Sequence, residues 1–245
     1  MKPSAEYIKL CGVADEDTGK YKKSFIGKGE LLFMADKIIE NNQVTIIGEV
    51  ASPFVFSHEV FGEGFYMADI LVKRLSDCSD CIPVMISERL IDVSKDYRGE
   101  YVQINGQFRS YNRHEEKRNR LVLSVFAREV SFVEEETDKA KTNQIFLDGY
   151  ICKAPVYRKT PLGREIADIL VAVNRPYGKS DYIPCICWGR NARYASAFEV
   201  GEHVQVLGRI QSREYVKRLS ETETEKRTAY EVSVSKLECM DDAEE

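Results

Sequence analysis

An internal repeat restricts the fold of this chain most strongly, because its two halves align at an offset of about 100 residues. The aligned segments follow the same order in both halves. They pair Gly48-Glu-Val50 with Gly149-Tyr-Ile151, Val55-Phe56 with Val156-Tyr157, Ala68-Asp-Ile-Leu71 with Ala167-Asp-Ile-Leu170, Ile82-Pro-Val-Met-Ile86 with Ile183-Pro-Cys-Ile-Cys187, Gly99-Glu-Tyr-Val-Gln103 with Gly201-Glu-His-Val-Gln205, and Gly106 with Gly208. These ordered matches predict two copies of one fold, each of about 90 residues.

Each copy consists mainly of short apolar runs separated by glycine, proline and asparagine, a pattern typical of strands. The strands predicted in the first copy are 44–50, 66–72, 82–86, 101–108 and 121–132, with counterparts in the second. Residues 190–198 have helical character and lie between the third and fourth strands of the second copy. Five strands with a helix at that point follow the order of the OB-fold, a small barrel that binds oligonucleotides.

The predicted fold is therefore mainly β, with two tandem five-stranded OB-fold barrels at residues 44–133 and 144–239. A charged segment without large apolar side chains, at 134–143, is predicted to be a linker. Residues 1–43 are predicted to form an extension with a helix, and residues 240–245 a short acidic tail. The apolar face of that helix would consist of Leu31, Leu32, Met34, Ala35, Ile38 and Ile39.

The composition is that of an ordinary folded protein, with 43% apolar and 31% charged residues. No apolar stretch approaches the roughly 20 residues that cross a bilayer, and MKPSAEYIKL lacks the apolar segment of a secretory signal. The cysteines are odd in number, and Cys185 and Cys187 lie in an apolar run, which suits a reducing compartment. A cytoplasmic location is expected.

The sequence contains no recognisable catalytic or metal-binding arrangement. Cys78-Ser-Asp-Cys81 stands alone, without the two further ligands that a zinc site needs. The histidines, His58, His114 and His203, occur in unrelated contexts. Neither a nucleophile elbow nor a zinc-peptidase pattern is present. We therefore expect a binding protein, not an enzyme, with no cofactor and no metal.

Charge and aromatic content distinguish the two copies. The net charge of the chain is -5, yet residues 144–219 carry 12 basic and 7 acidic side chains, whereas residues 44–133 carry 11 and 13. The second copy also interleaves aromatic with basic residues: Tyr177, Tyr182, Trp188, Tyr194 and Tyr215 stand among Arg175, Lys179, Arg190, Arg193, Arg209 and Arg213. Aromatic rings that stack on bases, beside cations that neutralise phosphates, are what single-strand binding needs.

Strand alternation places Tyr182 and Trp188 on one face of the same predicted strand. Ile183, Cys185 and Cys187 then point into the barrel. The alternative is that Trp188 caps the core. At the equivalent points the first copy has Cys81 and Ser87, so its stacking face is predicted to lack aromatic rings.

Residues 144–238 resemble the bacterial single-stranded DNA-binding proteins. The resemblance rests on Lys153-Ala-Pro-Val-Tyr-Arg-Lys-Thr-Pro-Leu-Gly163, Val171-Ala-Val-Asn-Arg175, Asp181-Tyr-Ile-Pro184, Trp188-Gly-Arg-Asn-Ala192, Gly201-Glu-His-Val204 and Gly208-Arg-Ile-Gln-Ser-Arg213. It implies base stacking by Tyr177, Tyr182, Trp188 and Tyr215. It also implies backbone contacts from basic residues around them, namely Arg158, Lys159, Arg175, Lys179, Arg190, Arg193, Arg209 and Arg213.

The resemblance further implies a working unit of four OB domains, which a two-domain chain reaches as a homodimer, and roles in DNA replication, recombination or repair. The sequence departs from the family in two respects. It ends at Cys239-Met-Asp-Asp-Ala-Glu-Glu245 without the hydrophobic tip that recruits replication and repair proteins. The first copy matches the second only in its scaffold, which favours a role in assembly.

Other interpretations remain open. The aromatic residues of the first copy, Phe54, Phe56, Phe61, Phe65 and Tyr66, suit either a different stacking site or, because few cations stand beside them in the sequence, a protein interface. The whole chain could be an assembly module that kept the OB scaffold without nucleic-acid binding. RNA is a third possibility, since stacking platforms accept either sugar.

Overall fold

A computed structural model describes residues 41–76, 78–115, 118–135, 138–218 and 224–240, without the side chains of 112–120 and 217. The predicted N-terminal helix lies outside these residues, as does almost all of the acidic tail. Strands make up most of the described chain, which confirms the prediction of a mainly β protein. The first half contains β1 (Asn42–Val50), β2 (Val55–Val60), β3 (Glu63–Lys73), β4 (Ser79–Ser87), β5 (Tyr101–Glu115) and β6 (Arg118–Phe132).

The second half repeats this series with one short helix. It contains β7 (Asn143–Lys159), β8 (Glu165–Arg175), β9 (Lys179–Trp188), α1 (Arg190–Ala195), β10 (His203–Arg218) and β11 (Thr224–Cys239). The helix begins where the sequence predicts one and is shorter than the predicted range. The unpredicted strand β2 is exposed along its whole length, so no alternation of apolar and polar residues marks it.

Strand pairing closes a ring of five strands in each half. In the first half β1 pairs with β3 and β5, and the ring continues through β4 and β6. In the second half β7 pairs with β8 and β10, and the ring continues through β9 and β11. Buried aliphatic side chains fill both rings, with Ile46, Ile70 and Ile104 in the first and Leu147, Val171 and Val206 in the second fully or almost fully excluded from solvent.

The pairing register corrects one landmark of the sequence repeat. Ile82 pairs with Ile70, whereas Ile183 pairs with Val171, so equivalent positions lie 101 residues apart. The two Ala-Asp-Ile-Leu segments, which the sequence aligns at an offset of 99, therefore lie two positions out of register. A shift of two residues keeps every side chain on its original face, so the hydrophobic pattern alone does not detect it.

The two rings are joined through their first strands. Strands β1 and β7 pair antiparallel, with Asn42 opposite Leu147 and Ile46 opposite Asn143. The Asn42 amide accepts a hydrogen bond from the Phe108 N–H and donates one to the Phe108 carbonyl, both at 2.8 Å. Asn143 makes the same two bonds to Ile210, at 2.8 and 2.7 Å. We call the region around the β1–β7 pairing the junction between the halves. The equivalent contacts of Asn42 and Asn143 relate its two sides by an approximate twofold axis.

Two buried carboxylates extend this relation. Asp80 and Asp181 are each 1% exposed. Arg74 and Arg175, respectively, donate hydrogen bonds to them from the same half of the chain. Such buried charges need close partners to offset their desolvation. Asp80 and Asp181 also accept hydrogen bonds from backbone N–H groups of the opposite half, which hold the starts of β4 and β9 against it.

Candidate nucleic-acid interface

Strand β9 carries two partly exposed aromatic rings on one face. Tyr182 is 44% and Trp188 39% exposed, whereas Ile183 and both thiols, at Cys185 and Cys187, are at most 2% exposed. The alternation that the sequence predicts is therefore present at these five positions, whereas Ile186, on the face of the two rings, is only 6% exposed. Six residues at about 3.3 Å per residue separate the two rings by roughly 20 Å along the strand.

Local structure explains why the strand ends at its tryptophan. Gly189 has a φ of +54°, a conformation that glycine adopts without the steric cost that a side chain would bring, and it leads directly into α1. Trp188 lies opposite Ile166 of β8, which is 2% exposed. The indole therefore stands at the rim of the ring of strands, opposite a buried position, and remains partly exposed.

A third aromatic residue stands in the turn before β9. Tyr177 is the middle residue of a 3-10 turn, Pro176–Gly178, and its side chain is 97% exposed. Its φ of +65° is unusual for a residue with a large side chain and costs on the order of 1 kcal/mol or more. The turn thus holds a ring fully in solvent against the backbone preference of tyrosine.

Tyr215 stands on a different element from these three rings. It is 38% exposed and sits on the β10–β11 hairpin, beyond Ser212. The Ser212 hydroxyl accepts a hydrogen bond of 3.2 Å from the backbone N–H of Cys81, which belongs to the first half. The hairpin therefore contacts the first half at Ser212.

Six of the eight predicted phosphate ligands are exposed in the second half. Arg158 pairs with Asp168 at 2.7 Å, and Arg193 pairs with Glu165 at 3.0 Å; both carboxylates are partly exposed. Exposed pairs of this kind contribute about 0–1 kcal/mol, so a phosphate can replace the carboxylate at little cost. Arg213 lies 3.8 Å from Glu231. Within the described residues, no ion pair involves the remaining three, Lys159, Lys179 and Arg190.

The other two predicted phosphate ligands lie in the junction between the halves. Arg175 donates to Asp181 at 2.6 Å and to the Ser110 carbonyl at 2.8 Å. Arg209 donates to Asp80 at 3.1 Å, and burial lowers the pKa of its guanidinium. Both side chains therefore offset buried charge, and the structure does not bring them to the exposed face of β9.

Sequence comparison of the two copies missed a cluster in the first half. The Arg109 guanidinium lies 3.9 Å from the ring centre of Phe126, and that ring lies 5.8 Å from the ring of Phe65. The arginine contacts Phe126, which was not among the aromatic residues named from the sequence, and Phe126 in turn adjoins Phe65, which was. Alternation along β6 could have predicted this outward position. If Val125 and Ala127 point into the core, as the structure shows, Phe126 between them must face outward.

Comparison with known proteins places the chain in a family. The model of the single-strand binding protein family matches residues 142–240. Single-stranded DNA-binding protein B of Bacillus subtilis is 35% identical over 80 residues, which make up 30% of this chain and 71% of that protein. The chain belongs to the single-strand binding protein family. This confirms the resemblance found in the sequence, and because the family is not one of enzymes, it confirms the expectation of a non-enzymatic protein.

Other family members match over the same length. The single-stranded DNA-binding protein of Oceanobacillus iheyensis is 36% identical over 80 residues, 30% of this chain and 50% of the relative. The chain spans about half the length of most of the curated relatives that it matches. The solved single-stranded DNA-binding protein from Thermus aquaticus has a TM-score of 0.65 at 18% identity, covering 81% of this chain and 92% of its own. That likeness concerns the fold and extends over more than either half alone.

Within the part of the chain that the structure describes, no helix has the length and apolarity that crossing a membrane requires.

Proposed function

We propose that this protein binds and coats single-stranded DNA without strong sequence preference, through the exposed face of β9 and the turn before it. The observation that carries the proposal is the pair of partly exposed rings, Tyr182 and Trp188, on one face of a strand whose other face is buried. Each base stacked on an aromatic ring contributes about 1–3 kcal/mol, and stacking accepts any base.

Each exposed residue of the predicted stacking and phosphate-binding sets has a role in this proposal. Tyr177, Tyr182 and Trp188 stack on successive parts of the strand, and Tyr215 reaches a further part from its hairpin. Phosphates are neutralised by the exposed cations Arg158, Lys159, Lys179, Arg190, Arg193 and Arg213. Arg175 and Arg209 do not act on phosphates; they stabilise the junction that fixes the two halves relative to one another.

The domain organisation that we propose has OB-fold domains at 44–133 and 144–239, joined by the segment 134–143. The closed five-strand rings support it. A homodimer would supply four such domains, as the family resemblance implies. In this proposal the protein acts in DNA replication, recombination or repair, in the cytoplasm at the nucleoid.

The fluorescence of Trp188, the only tryptophan of the chain, tests the proposal directly. Oligo(dT) should quench it strongly, duplex DNA should not, and the affinity should fall as salt concentration rises. Tyr182→Leu should weaken binding about five- to hundredfold, whereas Phe132→Leu, an exposed ring in the first half, should leave it unchanged. An unquenched Trp188, together with no mobility shift of oligo(dT), would reject the proposal and favour an assembly module.

Equal or tighter binding of oligo(rU) would instead redirect the proposal to RNA.

A further inference from the structure

A second arrangement of rings and cations lies on the first half, which the comparison of the copies had marked as lacking a stacking face. The rings of His58 and Phe65 stack at 5.3 Å with an interplanar angle of 14°. Phe65 lies 5.8 Å from Phe126, and Phe126 has the Arg109 and Arg128 guanidiniums at 3.9 and 5.8 Å from its ring centre. We call these five side chains the arginine–aromatic column.

The column stands on the face equivalent to the one that carries Tyr182 and Trp188. Phe65 pairs with Ser87, the equivalent of Trp188, and Phe126 pairs with Met85 of the same strand β4. Met85 is 7% exposed although it points away from the core of the ring. The rings missing from β4 are therefore supplied by its two neighbours, β3 and β6.

One acidic side chain acts electrostatically on the column, namely the buried Asp181, which is already paired with Arg175. Within the described residues, neither Arg109 nor Arg128 forms an ion pair with a carboxylate, and both donate instead to the neutral amide oxygen of Gln107, at 2.8 and 3.4 Å. Burial, together with the charges of Arg128 and Arg175, lowers the pKa of Arg109 to about 10. The phosphates of a nucleic acid would supply negative charge to this cluster of cations.

The column is also connected to the first site. Ser110 follows Arg109 in β5, and its hydroxyl accepts a hydrogen bond of 2.8 Å from the backbone N–H of Tyr182. Tyr182 of the second half and Arg109 of the first half thus adjoin a single partly buried hydrogen bond. Arg109 also interacts electrostatically with Asp181, the residue before Tyr182.

We propose that the arginine–aromatic column is a second contact surface for single-stranded DNA, continuing the path from β9 onto the first half. This inference rests on the proposed function, and it replaces the assembly role assigned to the first half from sequence. His58 and Phe65 accept bases by stacking, while Arg109 and Arg128 neutralise phosphates. The alternative occupant, a protein partner, is less favoured because the two arginines beside the rings form no ion pair within the described residues.

The test compares two lengths of oligo(dT) on the full chain. An oligonucleotide of about 8 nucleotides stays within the span of one OB-fold, and one of about 30 exceeds it. The double substitution Arg109→Gln with Arg128→Gln should weaken binding of the long oligonucleotide about tenfold and reduce the slope of log K against log salt by about 1.4, since two phosphate contacts are lost. Binding of the short oligonucleotide should not change.

The matched control removes two positive charges elsewhere in the first half. Lys95→Gln with Arg98→Gln changes two exposed side chains that pair with Asp92 and Asp96 in the turn after β4, and should alter neither affinity nor slope. Phe126→Leu tests stacking separately, with thermal unfolding as a check on the fold. Photocrosslinking of oligo(dT) that carries 5-iodouracil should mark the peptides containing Phe65 or Phe126.

The outcomes separate this inference from the proposed function. If wild-type Trp188 responds to both oligonucleotides but the arginine double variant behaves like its control and no crosslink reaches the first half, the column is structural packing only. If Trp188 responds to neither oligonucleotide, the proposed function itself fails.

Discussion

Asp80 accepts a hydrogen bond of 2.7 Å from the backbone N–H of Ser212, a residue 132 positions later in the chain. The equivalent Asp181 accepts one of 2.5 Å from the N–H of Ser110. Each half therefore buries a carboxylate that the other half helps to satisfy. Because the two contacts are reciprocal, we expect the halves to unfold together and to present their outer faces at a constant angle.

The first prediction concerns this reciprocal contact. Asp181→Asn keeps an acceptor for Ser110 but leaves the Arg175 guanidinium without its carboxylate. Removing one partner of a buried pair should lower the free energy of unfolding by about 3 kcal/mol, measured by urea denaturation. Asp92→Asn, which removes an exposed carboxylate, serves as the control. A loss no larger than that of the control would mean that the pair contributes little to the junction.

The second prediction concerns the strained turn before β9. Tyr177→Asn places at φ +65° a residue that tolerates the left-handed conformation, so the free energy of unfolding should rise by about 0.5–1 kcal/mol. Affinity for oligo(dT) should fall at the same time, because the exposed ring is lost. Chemical denaturation and Trp188 fluorescence measure the two effects. Unchanged affinity would remove Tyr177 from the site.

The third prediction concerns the close approach of β1 and β3. A Cβ atom at Gly48 would lie 2.5 Å from the Leu71 carbonyl oxygen, which belongs to the backbone and cannot move aside. Gly48→Ala should therefore destabilise the protein by about 1–3 kcal/mol. At Gly64 the nearest atom, at 2.7 Å, is the end of the flexible Glu88 side chain, so Gly64→Ala should cost less. Thermal unfolding of the two variants compares them, and equal losses would contradict the argument.

The fourth prediction concerns the buried thiols of β9. Burial raises the pKa of Cys187 to about 12 from its usual value near 9. The unfolded chain then loses this proton at lower pH than the folded chain, so stability falls as pH rises from 9 towards 12. Between pH 8 and 10 the fall should be about 1.4 kcal/mol smaller in Cys187→Ala than in wild type. The stability of Cys78→Ala, which removes an exposed thiol, should fall over this pH range by as much as that of the wild type.

Local pattern was sufficient for much of the fold. The alternation along β9 predicted that Ile183, Cys185 and Cys187 are buried, because successive residues of a strand point to opposite faces whatever the strand pairs with. It did not predict that Ile186, on the opposite face, is also buried. The helix after β9 was likewise predicted from its own residues. Strand β2 was missed, since an edge strand exposed on both faces leaves no such alternation.

The sequence by itself determined the repeat, the mainly β class, the family and the paired rings of β9, all of which depend on order and alternation along one segment. Only the tertiary structure decided that Arg175 and Arg209 belong to the junction and that Arg109 meets Phe126. The physical reason is that these contacts depend on the pairing of β1 with β7 and of β5 with β6, and on the curvature of each ring. Such pairings bring together residues that no local pattern relates.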